Sequence, residues 1–235
     1  MAAAEPGVRA VSAYHLTMRL VLLAILLVVL FSASVAHATG GDPKKQINAA
    51  DQTRARAIVL RKADLLGSFH TERNGLGAST SMNCPALDES DLTVTGEVRS
   101  PGFAFGLVFV ASQSQIYKSL GDASTSWRRF VSAAGSSCLR DELRKEFTSN
   151  GLKLVSLHRT TFPRVAQKTA SYRIVLSGPT QAGTVDFVFD IVGLMDSRAQ
   201  ASIFIGSALR PQSRAEEVRL ARLVSGRMAK VMRGA

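Results

Sequence analysis

The residue types that most often carry chemistry are sparse in this chain, and their spacing is poor. Of the four histidines, His15 and His37 lie near the N-terminus, and His70 and His158 stand far apart without HxxxH or CxxC spacing around them. A zinc centre gathers three or four ligands at short spacings, so that pattern gives it no support. No Gly-x-Ser-x-Gly pentapeptide occurs, and the strained strand-to-helix elbow of a serine hydrolase is missing with it. Gly40-Gly41 and Gly75-Leu76-Gly77 are too short for a dinucleotide loop and join no strand to a helix; a P-loop is also absent. Asp186 and Asp190 fall four residues apart on a segment that reads as a strand, which puts them on one face at about 13 Å. Paired glycosidase carboxylates work at roughly 5 to 9.5 Å, so these two read as solvent-side charges of an amphipathic strand. No catalytic, metal or cofactor-binding residue is assigned, no cofactor is expected, and the protein is read as a non-enzyme.

Composition narrows the remaining classes. The 235 residues carry a formal charge of +11 with 46% hydrophobic and 20% charged residues, which excludes a disordered chain. Residues 20–31 read LVLLAILLVVLF after Arg19 and are followed by Ala36-His37-Ala38, the pattern of a secretory signal peptide cut between Ala38 and Thr39. The alternative is an uncleaved anchor, for which the apolar run is short of the roughly 20 residues a spanning helix needs. Loss of residues 1–38 removes Arg9, Arg19 and Glu5 and leaves 27 basic and 17 acidic residues, a charge of +10. Outside the cell that charge points to anionic envelope polymers or lipid headgroups and disfavours nucleic acid. In an oxidising compartment, Cys84 and Cys138 are the one available pair and are expected to form a disulfide, worth roughly 4 kcal/mol in the chain-entropy model.

These residues must be positioned by elements that the hydrophobic pattern outlines. Residues 39–47 read as a tether, and 48–235 as a single domain. A helix is expected from Asn48, its N-cap, to Leu66, followed by a polar loop from Gly67 to Asp91. Leu92, Val94 and Val98 mark a strand, Ser100-Pro101-Gly102 a turn, and Phe103, Phe105, Leu107 and Phe109 one face of a second strand running towards Tyr117 and covered on both sides. Trp127, Phe130, Val131 and Ala134 recur at helical spacing, with Ser124 or Ser126 as cap, and a second helical stretch runs from about Ser137 to Thr148 with Asn150-Gly151 as its stop. Further strands are expected near residues 152–161, 170–176, 184–194 and 199–209, with turns at Ser177-Gly178-Pro179 and at 193–198. Ser213 and Glu216 form a capping box that opens a last helix reaching about Met232. Arginines and lysines are spread over the helices, and a composite cationic patch would require the first and last to lie side by side. The order is α-β-β-α-α-β-β-β-α, an α+β fold in which an antiparallel sheet of about five to six strands carries helices on both faces.

Several of these segments together resemble a known group. Cys84-Pro85 after a polar loop, Leu92-Thr93-Val94-Thr95-Gly96-Glu97, an aromatic-rich strand, Trp127 in a helix, Cys138-Leu139, Ala170-Ser171-Tyr172-Arg173 and a late Val-Asp-Phe-Val strand are similar to exported actinobacterial proteins of the PsbP-like α/β/α sandwich superfamily. That group includes the extracellular sensor domain of a mycobacterial serine/threonine kinase and small mycobacterial lipoproteins. The resemblance implies a central antiparallel sheet between helical layers, no cofactor, and binding of a ligand or protein in place of catalysis. The chain differs from those members in having no kinase domain, no lipobox and one cysteine pair. The expected function is that of a secreted, noncatalytic domain binding a protein or small ligand at the bacterial envelope. The alternatives are an envelope hydrolase with a scattered site, for which a polar pocket holding His158 beside a carboxylate would speak, and a membrane-surface protein held by its signal segment and basic helices.

Overall fold

The computed structural model describes residues 41–72, 84–180 and 183–233. The apolar segment at 20–31, the Ala38–Thr39 junction and Gly75-Leu76-Gly77 lie outside the described residues. Chain order is β1 (Lys44–Lys45), α1 (Ala49–Ile58), β2 (His70–Glu72), β3 (Thr93–Arg99), β4 (Gly102–Phe105), β5 (Val108–Tyr117), α2 (Leu120–Phe130), α3 (Ala133–Ser149), β6 (Lys153–Arg159), β7 (Lys168–Thr180), β8 (Gly183–Asp196), β9 (Ala199–Ala208) and α4 (Arg214–Met232). The strands form one sheet in the order β1-β3-β5-β9-β8-β7-β6, with β4 also on β5 and β2 beyond it. Every pairing is antiparallel except the short β1–β3 contact. The α+β class and the helices on both faces are as expected. The sheet is larger than expected, with nine strands, because β1, β2 and β4 are two to four residues long and too short to show a period of two.

Each face of the sheet has its own core. Trp127, Leu139, Leu143 and Phe147 of α2 and α3 bury against Phe109, Tyr172, Ile174 and Phe204 on one side. Ala55 and Ile58 of α1, with Leu220, Val224 and Met228 of α4, bury against Val192, Leu194, Ile203 and Ile205 on the other. Full burial of each such large side chain is worth about 1.5–3 kcal/mol. Central strand β8 thus buries Phe187, Phe189 and Ile191 upward and Val188, Val192 and Leu194 downward.

Local chemistry sets the boundaries and corrects several of them. Asn48 caps α1, its Oδ1 accepting from the Asp51 N–H at 2.9 Å. The helix stops at Ile58, short of Leu66, because Val59 is extended and the next N–H, that of Leu60, donates to Ser112 Oγ at 2.8 Å on β5. Ser119, not Ser124 or Ser126, caps α2. Ser132 caps α3, which therefore begins four residues before Ser137. Ser213 caps α4 through the Glu216 N–H, but the reciprocal half of the box is not made, since the Glu216 carboxylate takes Arg219 at 2.6 and 2.7 Å.

Two turns are also relocated. Ser100-Pro101-Gly102 is not a reversal: Arg99 pairs with Gln113 and Phe103 with Val110, so β3 and β4 run on along the same strand with an irregularity at the proline. The reversal falls at Gly106-Leu107, where Phe105 pairs with Val108 and Gly106 takes φ 58°, a sign glycine adopts without cost. Phe103, Phe105, Leu107 and Phe109 therefore do not share one strand face. Ser177-Gly178-Pro179 lies inside β7, with Pro179 opposite Thr184.

Two long-range fastenings hold the layers. Cys84 and Cys138 are bonded, with Cα atoms 5.7 Å apart and a sequence separation of 54, joining the 3-10 turn Pro85–Leu87 to α3. Arg198, in the β8–β9 turn, places both terminal nitrogens 2.7 Å from the buried Asp51 carboxylate, which also accepts from Thr95 Oγ1 at 2.7 Å. The Arg198 hydrogen bonds hold the Asp51 carboxyl far below the usual carboxylate range, against the opposing effect of burial.

Candidate functional site

Strand β5 carries the run Ser112-Gln113-Ser114-Gln115, four polar residues that are all buried. A period of two sends the serines to one face and the glutamines to the other. The serines serve α1: Ser112 Oγ accepts from the Leu60 N–H at 2.8 Å and Ser114 Oγ donates to the Ala55 carbonyl at 2.7 Å. The glutamines face α2 and line a recess of about 40 Å³ between that helix and strands β5, β8 and β9. Its walls are apolar at Trp127, Phe130, Ile191 and Phe204, and polar at Glu89, Gln113, Gln115, Ser126, Gln200 and Ser202. Gly193 shapes the floor, since a Cβ there would lie 2.6 Å from Phe130 Cε1.

One acceptor of the recess is left unmet. Tyr117 Oη lies 2.8 Å from Ser126 Oγ, 3.1 Å from Glu89 Oε2 and 3.3 Å from Gln115 Oε1, and a phenol has one proton to donate. Ser126 Oγ is 3.4 Å from Gln200 Oε1, while the Gln200 amide donates to the Ala123 carbonyl at 2.6 Å. Gln113 is 7% exposed and its Oε1 is buried without a hydrogen-bond partner, a group that costs about 1–3 kcal/mol if left unmet. Burial pushes the Glu89 carboxyl up to about 7, so near neutrality it keeps a proton to donate. Burial and the adjacent Glu89 charge push the Tyr117 phenol well above its ordinary value. Arg129, the one cationic side chain lining the recess, is held at its mouth by a bidentate pair with Asp91 at 2.7 and 2.9 Å. The arrangement can accept hydrogen bonds and hold a proton. Among the described residues, neither an imidazole nor a second carboxylate lines it.

The sequence-derived candidates fall elsewhere. His70 is exposed and paired with Glu72 at 2.8 Å. His158 is exposed on β6, in an open groove of about 480 Å³ whose lining includes Arg140 and Arg159 but no Asp or Glu. Asp186 is exposed as expected, whereas Asp190 is not on the solvent side: it is 1% exposed beneath α4, bound by Arg173 at 2.8 and 3.0 Å. The reason is that β8 is covered on both faces as far as Phe187, and only its outer end is open. Asp190 neighbours buried Glu217, whose carboxyl burial and the Asp190 charge push up to about 7 and which Arg214 contacts at 2.5 Å. α1 and α4 do lie side by side, but Arg227 at their seam is spent on Asp64 at 2.6 and 2.7 Å and Arg219 on Glu216. Among the described residues no group of three or more His, Cys, Asp or Glu side chains is placed to hold a metal, and no helix is long and apolar enough to cross a membrane.

Glu89, Gln113, Gln115, Ser126 and Gln200 were not singled out by type or spacing. The available signal was the polar Ser-Gln-Ser-Gln run continuing a strand whose first half, Val108-Phe109-Val110-Ala111, is wholly apolar. No protein-family model matches the chain, and no curated protein does. Among solved structures, the chain is similar to the extracellular domain of PknH from Mycobacterium tuberculosis, at 11% identity and a TM-score of 0.40 over 80% of this chain and 98% of that one.

Proposed function

We propose that the protein is an extracytoplasmic, noncatalytic binding domain whose ligand seats a small polar group in the recess under α2. The observation that carries this reading is Gln113 Oε1, a buried acceptor without a partner that lines an apolar-walled recess beside Glu89, Gln115, Ser126, Gln200 and Ser202. Convergent polar groups in an apolar pocket are the usual composition of a small-molecule site. The Cys84–Cys138 bond supports an oxidising compartment, and the apolar segment followed by Ala36-His37-Ala38 supports export by a cleaved signal. An envelope location, a PsbP-like affiliation and an affinity for anionic polymers extend the same reading.

The test is a differential-scanning screen of polar metabolites and envelope fragments against the full chain and its Gln113→Leu variant. A ligand for the recess raises the wild-type Tm and leaves the variant unmoved. Equal stabilisation of both proteins by every hit would place binding elsewhere and end the proposal. N-terminal sequencing of exported protein separates a start at Thr39 from an anchored start at Met1 or Met18.

A further inference from the structure

We propose that the group received by the recess is a primary ammonium, carried at the tip of a ligand whose remainder stays outside. This rests on the reading of the recess as a ligand site and names the chemistry of what enters it. Acceptor oxygens converge there from four places: Glu89 on the loop after the 3-10 turn, Gln113 and Gln115 on β5, and Gln200 on β9. The single hydroxyl proton of Tyr117 lies within reach of Glu89, Gln115 and Ser126 at once, and the other donors at hand are the Ser126 hydroxyl, the glutamine side-chain amides and the Glu89 acid itself. Gln113 Oε1 receives none. An ammonium brings three donors and no acceptor, which is the complement of that deficit. A hydroxyl brings one donor and adds another acceptor.

Charge and shape agree with that choice. Charged and titratable groups facing the recess are Glu89, Tyr117 and Arg129, and the Arg129 charge is matched by Asp91. Glu89, once ionised, has no direct ion pair among the described residues, and Arg129 acts on it only from a distance. An entering ammonium would supply that pair, and Trp127 in the wall offers an aromatic surface of the kind that attracts cations. The space of about 40 Å³ is small and suits the tip of a ligand such as an aminomethyl group.

The assignment is tested by NMR titration of the purified full chain with four probes at pH 7.5: ethanolamine, ethylene glycol, tetramethylammonium and inorganic phosphate. Ethanolamine is expected to shift the Trp127 indole and the Gln113 and Gln115 side-chain amide signals saturably. Its affinity should exceed that of ethylene glycol at least tenfold, and that preference should vanish in Glu89→Gln and weaken in Gln113→Leu. The affinity should also rise from pH 6 to pH 8 as Glu89 ionises. Ethylene glycol binding as well as ethanolamine would refute the ammonium assignment while leaving the recess a ligand site. Tetramethylammonium shifting the same signals as strongly would refute recognition by acceptor oxygens. Phosphate shifting them would reverse the sign of the assigned charge. If none of the four probes moved these signals at tens of millimolar, the ammonium assignment and the ligand-site reading would fall together.

Discussion

Replacing Glu89 with Gln removes the one carboxyl that lines the recess among the described residues while keeping its shape. The Glu89 carboxyl is 6% exposed and sits at about 7 against an ordinary 4.5. The folded protein therefore binds that proton more tightly than the unfolded chain does. The associated stability is complete below about pH 4.5, declines as pH rises, and is gone once pH passes through about 7. Taken over the whole interval the loss is about 3 kcal/mol, a sizeable part of a typical domain's 5–15 kcal/mol. A glutamine cannot ionise, so the variant lacks this decline. Urea unfolding of both proteins from pH 5 to pH 8, without reductant, should show curves within about 1 kcal/mol of one another at pH 5. At pH 8 they should be separated by about 2–3 kcal/mol with the variant the more stable, or roughly 5–10 °C in Tm. Glu217 titrates in the same window, but it is present in both proteins and cancels from the difference. Parallel pH profiles for wild type and Glu89→Gln would falsify the buried-carboxyl account of the recess.

Other consequences can be measured on the same preparation. Asp51→Ala and Arg198→Ala each leave a buried or half-buried charge without its bidentate partner and should cost about 3–5 kcal/mol in chemical denaturation. The double variant should cost less than the sum, and additive losses would show that the pair is not coupled. Because the Asp51 carboxyl is held below the usual range, its contribution is present above about pH 4 and fades as pH falls further. A wild-type advantage over Asp51→Asn that persisted unchanged to pH 2 would contradict that sign. Reduction of the Cys84–Cys138 bond, which spans 54 residues, should lower stability by about 4 kcal/mol, and an unchanged urea midpoint in dithiothreitol would rule this out. Gly193→Ala puts a methyl into Phe130, so it should cost about 1–3 kcal/mol and alter Trp127 fluorescence, since the two rings are 5.8 Å apart. Neither change would be seen if Phe130 could step aside freely.

The disulfide and the recess are parts of one construction. Cys84 caps the 3-10 turn Pro85–Leu87, and Leu87 and Glu89 both line the recess within five residues of the bond. Asp91, two residues further on, clamps Arg129 of α2 at the mouth. The strap from Cys84 to Leu92 thus reaches α3 through sulfur, α2 through an ion pair and β5 through Tyr117 and Glu89. Cutting its covalent end frees the segment that brings Glu89 to the recess. Loss of ammonium-probe binding on reduction should accordingly precede loss of the sheet's circular dichroism.

How much of this could be read from the residues depended on whether the signal was local. Asn48 and Ser213 as caps, Asn150-Gly151 as a stop, and the long strands β8 and β9 follow from short-range chemistry and from periods that persist for ten residues or more, whereas β7 is legible only over 170–176 because Ser177-Gly178-Pro179 carries turn residues. The Gly106-Leu107 hairpin was hidden because Leu107 continues the alternation of Phe103, Phe105 and Phe109, so pattern favoured one strand where glycine permitted two. Asp190 and the Ser112–Gln115 run were hidden for a different reason. Polarity on a strand is evidence of solvent only if nothing covers it, and cover is a property of the topology, since β5 and β8 each border β9 at the centre of the sheet. Once β5 is central, each polar side chain must find a partner. The serines and Asp190 do so within the protein, and Gln113 Oε1 does not. The recess is illegible in the sequence because its polar lining is made of common amides and a carboxyl, distinguished only by where the fold has put them.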